Sequence, residues 1–364
     1  MNEILRKANL LMKRNRPSAP SDMLYSLWNR KGFVHLCFQS NGCKNDLNGC
    51  CIMCDYGTGR NISAEEVCMA FDEAVKSVPG KITSLLLGTY GSLLDPFEMS
   101  ERNINVLLDR VAGCEIPTII IETHCNTIDQ QVITLVSNVL SAKEEVVFEF
   151  GFESASPFVQ ENCLNKKIDL IKLKNSIDLI HSSNMLVTLN LLLGAPFLTS
   201  SEQLKDAVAS IEWAFTNGAD SIVLFPMNIK PYTLLEYLFN HCRYQPISHW
   251  LFIELISKVN LELLSKLHIS WYGNREIVYK GYNKRTIFPK SCPVCNDLIM
   301  SFYDAFTDDV SMHGRKHLIA DILRAGEQCD YRNQMLQSLE IVPAQSLEQM
   351  IKIEHQFIKD QLGL

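Results

Sequence analysis

Short apolar runs alternate along the chain with stretches whose apolar residues recur at helical spacing. Phe33 to Phe38, Ile82 to Gly88, Thr118 to Glu122, Val146 to Phe150, Leu186 to Leu193 and Ser221 to Phe225 read as six strands, since each is a short apolar run bounded by turn formers. Between them lie helices. Ser63 with Glu66 forms a capping box that opens one, with Val67, Ala70, Phe71 and Val75 on one face and Pro79-Gly80 as its stop. Ile104 to Val111, Ile128 to Leu140, Leu170 to His181 and a helix capped by Thr199 and Glu202 that runs to Phe215 continue the series. Strictly alternating strands and helices predict an α/β fold with a parallel sheet and right-handed crossovers, as an open sheet or a full or partial barrel.

The flanks read differently. Met1 to Arg16 is an amphipathic helix expected to dock on the main domain, followed by a Pro-rich joint and a helix-like piece with Leu24, Leu27 and Trp28. Beyond Tyr232 long helices take over, among them Ile247 to Leu267 and a final Glu348 to Leu362. The expected organisation is an N-terminal helical segment (1–32), a barrel (33–240) and a C-terminal helical region (241–364).

Composition narrows the function. With 364 residues, 47% of them hydrophobic, the chain has the means to bury a sizeable core. A net charge of −7 gives no general basic field for nucleic acid. No apolar run approaches the roughly 20 residues needed to span a bilayer, and no signal-like segment opens the sequence, so a cytoplasmic location and no membrane partner are expected. In that compartment thirteen cysteines point to metal or redox chemistry over disulfides.

Four of these cysteines stand in one glycine-bounded loop directly after the first strand. Cys43, Cys51 and Cys54 are spaced C-x7-C-x2-C; with Cys50 in the set the spacing is C-x6-C-x3-C. Three soft thiolates in one loop suit a metal or an iron–sulfur cluster. Polar residues gather where the other strands end: Thr89 to Ser92, Glu122 to His124, Glu153-Ser154, Asn190, and Asn228 with Lys230. In parallel βα architectures that edge carries the active site. A second group, Cys292-Pro293-Val294-Cys295 with Cys329 farther on, resembles a zinc site or an auxiliary cluster, with His313 or His317 as a candidate further ligand.

The loop resembles that of the radical S-adenosylmethionine (SAM) superfamily. Gly42-Cys43 followed by Gly49-Cys50-Cys51-Ile52-Met53-Cys54-Asp55-Tyr56 is similar to the GC…GGCxMCxY loop of the archaeosine-biosynthesis radical enzyme family (RaSEA), itself related to the Elongator catalytic subunit. Gly91-Ser92-Leu93-Leu94-Asp95-Pro96, Gly151-Phe152-Glu153-Ser154, the stretches 161–166 and 191–199, and Asn228 with Thr233 to Glu236 extend the likeness. It implies a partial (βα)6 TIM-like barrel with a helical, cysteine-bearing C-terminal extension. It also implies a [4Fe–4S] cluster on Cys43, Cys51 and Cys54, with Cys50 in a glycine position and outside the ligand set. Tyr56, Gly91, Ser92, Glu122, Glu153 and Asn190 are the expected contacts of SAM, which the cluster would cleave reductively with an electron from a donor such as flavodoxin or ferredoxin. Tyr331 stands where the family pattern has a fourth C-terminal cysteine. A biosynthetic small molecule is the expected substrate; the alternatives are a tRNA-modifying enzyme of the archaeosine synthase type and a non-catalytic zinc or iron–sulfur protein. The segment with Trp271, Tyr272, Lys280 and Lys284 is a candidate lid over the mouth or a solvated loop.

Overall fold

Alternation of apolar residues on both faces of a strand calls for cover on both sides, and the sheet supplies it by curling. In the computed structural model, which describes residues 2–270, 272, 278–279, 282–283, 285–289 and 292–364, eight strands form one sheet in chain order. They are β1 (Tyr25–Arg30), β2 (Phe33–Phe38), β3 (Ser84–Thr89), β4 (Thr118–Thr123), β5 (Glu145–Glu153), β6 (Leu186–Leu193), β7 (Ser221–Pro226) and β8 (Leu267–Ile269). From β2 to β8 every pairing is parallel, and the sheet curls into a half-barrel with β1 and β8 at its edges. The six expected strands are all present, and the partial barrel with a helical C-terminal part is as expected.

Two strands were not legible as such. The piece around Leu27 and Trp28 is strand β1, antiparallel to β2, where helical spacing suggested a helix. Lys31 and Gly32 both take positive φ (47° and 85°), the two-residue turn that matches strand twist, and Trp28 packs edge-on to Phe33. Likewise the long helix expected to reach Leu267 ends at Lys258; Asn260 caps a short 3-10 turn over Leu261–Lys266, and the chain enters β8.

Residues of one parity on each strand, among them Leu36, Leu87, Ile121, Phe148, Leu189 and Leu224, are buried in one apolar core with the outer helices. Each such side chain stabilises the fold by about 1.5–3 kcal/mol. Residues of the other parity face the lumen: Cys37, Leu86, Glu122, Glu149, Asn190 and Val223 all line it. The N-terminal helix Glu3–Lys13 docks as expected, against the cysteine loop and the final helix Leu347–Leu362. No helix among the described residues is long and apolar enough to cross a membrane.

Candidate active site at the rim of the half-barrel

The cysteine loop leaves the C-terminal end of β2 and is closed by the Cys43 amide, which donates to the Tyr56 carbonyl at 2.9 Å. Its glycines have steric reasons. Gly42 (φ +82°) lies against Gly57, where a Cβ would stand 2.8 Å from the backbone. Gly49 (φ +79°) lets the N-terminal helix approach; a Cβ there would meet the Arg6 carbonyl and Leu10 at 2.6 Å. Asn9 of that helix donates to the Gly49 and Cys50 carbonyls at 3.2 Å, while its own Oδ1 accepts from the Leu234 amide at 3.0 Å. Asp46, fully buried, accepts from Lys13, from Arg16 at 2.6 Å and from the Gly57 amide at 2.5 Å. On the other side the Cys51 and Ile52 amides donate to the Asn165 and Leu164 carbonyls at 3.1 and 3.0 Å. Cys51 itself is held at φ +54°, a conformation that costs a non-glycine residue roughly 1–3 kcal/mol and that the surrounding contacts impose.

Cys43, Cys51 and Cys54 all open into one cavity of about 1460 Å³ that runs down the lumen. Cys51 and Cys54 share a hydrogen bond, and burial pushes the Cys43 thiol up to about 12. Cys50 does not line the cavity; it packs with Leu5 and Ala8 in the apolar cluster beneath the N-terminal helix. Three thiols converging on one open volume, with the positive charges of Lys166 and Lys230 acting on Cys54, are a donor set that fits an iron–sulfur cluster with one iron left to a small molecule.

The other expected residues are arranged around this opening. Tyr56 lines the cavity with the Lys230 ammonium 3.6 Å from its ring centre, and Lys230 lies 3.5 Å from Asp55. Gly91 reaches the cavity; Ser92 does not. The Ser92 amide donates to Glu98 at 2.7 Å, and its hydroxyl bonds the Thr123 hydroxyl at 2.7 Å and accepts from the His124 amide at 3.1 Å, so Ser92 braces the end of β4. Glu153 (φ +67°) sits at a bulge in β5 and forms an ion pair with Lys166 at 2.7 Å. Deeper in the lumen, Glu122 is the register partner of Glu149, and Asn190 donates to Glu149 at 2.8 Å.

Sequence reading passed over Glu149 and Lys166 as site residues and placed His124 only among the polar residues at the strand ends. Period-two placement on β5, four residues before Glu153, was the available signal for Glu149. The His124 ring accepts the Asn126 amide at Nδ1 (3.1 Å), and burial lowers its pKa to about 4, so the neutral ring carries its proton on Nε2.

Burial, reinforced by the charge of Glu149, raises Glu122 to about 8. A carboxyl raised above its ordinary value of 4.5 holds its proton more tightly folded than unfolded. Its contribution to stability is therefore full below about pH 4.5 and is lost as pH rises through about 8. Glu98, pushed to about 7 by burial, acts in the same direction. Thermal midpoints measured from pH 5 to 9 are expected to fall for the native chain and to fall less for Glu122→Gln; equal slopes would remove Glu122 from this role.

In the C-terminal region the sulfur atoms of Cys292, Cys295 and Cys329 lie within 4.8 Å of one another, all three buried. Cys295 and Cys329 each immediately precede a helix, Asn296–Asp308 and Asp330–Glu340. His313 and His317 do not join them: both are exposed on the helix Met312–Ala325, and no described histidine, cysteine or carboxylate completes the trio. Tyr331 is exposed beside it. Of the lid residues, Trp271, Lys280 and Lys284 lie outside the described residues; the Tyr272 hydroxyl donates to Asp304 at 3.0 Å, and its ring packs on Tyr303.

A curled parallel half-barrel whose first parallel strand delivers three cavity-facing cysteines to its rim is the arrangement that the resemblance read from the cysteine loop implies. No described family profile matches the chain. An uncharacterized protein of Methanocaldococcus jannaschii is 24% identical over 341 residues, covering 90% of this chain and 88% of that one. Archaeosine synthase subunit beta of Methanosarcina acetivorans is 25% identical over 227 residues, 60% of this chain and 64% of the relative, which is under two-thirds of its length. Among solved structures, the radical SAM methyltransferase TsrM of Kitasatospora setae aligns at TM-score 0.46 and 11% identity, over 82% of this chain and 62% of that one. The resemblance read from the cysteine loop is borne out by the similarity to archaeosine synthase subunit beta.

Proposed function

We propose that this chain holds a [4Fe–4S] cluster on Cys43, Cys51 and Cys54 and uses it with SAM to start radical chemistry on a biosynthetic small molecule in the lumen. The observation that carries this reading is the convergence of those three thiols, and not of Cys50, on the mouth of the lumen cavity. A cluster held there supplies the electron for reductive cleavage of a carbon–sulfur bond, drawn from a flavodoxin- or ferredoxin-type donor.

The chain's own residues do the rest. Tyr56, Gly91 and Glu153 border the mouth and are the contacts proposed for SAM, with Ser92 holding the β4 end in place. Glu122 and Asn190 line the same volume and are proposed with them as contacts of SAM. The apolar and polar walls of β3 to β7 enclose the reacting groups and keep bulk water away. Iron and sulfide analysis of anaerobically prepared protein tests this reading. At least roughly four of each per chain is expected, and none after reconstitution would overturn it.

The similarity to archaeosine synthase subunit beta favours a second reading, a tRNA substrate. Opposing it is the net charge of −7. Binding of tRNA that weakens steeply with salt would establish it, whereas a metabolite enclosed in the lumen is expected to show little salt dependence.

Cys292, Cys295 and Cys329 we assign to a zinc ion or an auxiliary cluster that ties together the N-termini of two helices. Cys329→Ser is expected to lose that metal, keep the rim cluster and lower the thermal midpoint. Unchanged metal content in the variant would contradict the assignment.

A further inference from the structure

Cys43 joins two faces of the molecule. Its thiol opens into the lumen, while the short helix that starts directly after it, Lys44–Leu47, exposes Lys44 and Leu47 to solvent. Leu47 is 41% exposed and Phe97 45%, and both lie around the same residue. The Lys44 ammonium stands 5.7 Å from the centre of the Phe97 ring, and Asn41 donates to the Phe97 carbonyl at 2.9 Å. Leu47 and Arg16 meet over Gly57, where a Cβ would come within 3.2 Å of the one and 2.8 Å of the other, and Gly57 lies against Gly42, the residue before Cys43.

Charge distinguishes this patch from an ordinary apolar spot. The exposed charges on residues 14–16 and 44–48 are Arg14 and Lys44, and neither makes an ion pair among the described residues. The neighbouring carboxyl groups are occupied: Asp46 is fully buried and taken by Lys13 and Arg16, Glu98 is buried and accepts from the Ser92 amide and the Thr89 hydroxyl, and Asp95 accepts from the Phe97 amide at 2.9 Å. A positive rim thus stands out on a chain whose net charge is −7. A small apolar centre inside such a rim suits a weak, charge-steered encounter, of the kind that buries less than about 1,200 Å² in electron transfer. We propose that Arg14, Lys44, Leu47 and Phe97 form the docking face for the electron donor, a small acidic carrier protein of the flavodoxin type, which delivers its electron at the Cys43 edge of the site. One electron passes from the carrier's reduced flavin to the oxidised cluster, and no bond forms or breaks in that step. The proposal deepens the reading above and rests on it for the cluster alone.

The test follows reduction of the reconstituted cluster by reduced flavodoxin in stopped-flow absorbance, beside reduction by dithionite. With flavodoxin the native rate is expected to fall at least about tenfold from low to high salt. Arg14→Glu, Lys44→Glu and Phe97→Ser are each expected to slow it about threefold or more at low salt. Dithionite at high salt, where surface charge is screened, is expected to reduce every variant within about twofold of the native rate. A native rate indifferent to salt, variants that flavodoxin reduces as fast as the native chain, or equal slowing with dithionite would each overturn the proposal. So would displacement of flavodoxin by tRNA, which would assign the face to a nucleic acid. Carbodiimide coupling of flavodoxin carboxylates to lysine amines, mapped by mass spectrometry, reads the docking without electron transfer. Lys44 is expected as the principal link, and links confined to other lysines would contradict the face. A cluster that never loads or never accepts an electron counts against the radical reading, and the coupling result still decides the face.

Discussion

Chains carrying Cys43→Ala, Cys51→Ala or Cys54→Ala are expected to emerge from anaerobic reconstitution lacking the roughly four iron and four sulfide of the rim cluster, whereas Cys50→Ala retains both. The distinction is geometric. The first three sulfurs face the lumen, and removing any one leaves two thiolates where three are required to hold a cube. Cys50 is 2% exposed and packed against Leu5 and Ala8, so its loss empties a small apolar site and costs about 1 kcal/mol or less of stability. Iron and sulfide determination with the visible absorbance of each variant checks this. A Cys50→Ala chain without a cluster, or a Cys54→Ala chain with one, would overturn the ligand set.

Asp46→Ala is expected to be the most damaging change away from the cysteines themselves. Asp46 is the common acceptor for Lys13, Arg16 and the Gly57 amide, and the side chains of Lys13 and Arg16 are only 6% and 9% exposed. Removing the carboxylate leaves two buried cations without their counter-charge, a loss of about 3–5 kcal/mol. The N-terminal helix then loses its anchor on the loop, and the cluster site loses its outer wall. Thermal unfolding is expected to show a midpoint lower by several degrees, with faster proteolysis at the Pro17 to Pro20 joint. A midpoint within a degree of the native value would mean that Asn9 and the apolar contacts of Leu5 hold the helix without it.

Much of this architecture could be read from the sequence because its period is unambiguous. Runs such as Thr118 to Glu122 and Leu186 to Leu193 can be buried on both faces only in a covered parallel sheet, and capping signals at Ser63 and Thr199 marked the helices between them. The cysteine loop was legible through its spacing and glycines. Strand β1 was hidden because Leu24, Leu27 and Trp28 share helical spacing, and only the Lys31-Gly32 turn distinguishes a hairpin from a helix end. Strand β8 has just three residues, too few for any period to show. Glu149 was missed because a strand interior is normally apolar, and nothing local says that its face lines a lumen. The histidines proposed for the C-terminal metal were one helical turn apart in sequence, but their helix presents them to solvent. The paired roles of Gly88 and Gly151 likewise emerge only in three dimensions: each makes room for a charged side chain from elsewhere, Glu122 in one case and Lys166 in the other.

The most direct test of the central claim is the formation of 5′-deoxyadenosine by the reconstituted chain given dithionite and SAM under anaerobic conditions. The native protein is expected to produce it and Cys54→Ala is not. Native protein that carries a full cluster and binds SAM yet releases no 5′-deoxyadenosine would contradict the account, and methylthioadenosine in its place would show that a different carbon–sulfur bond is cut.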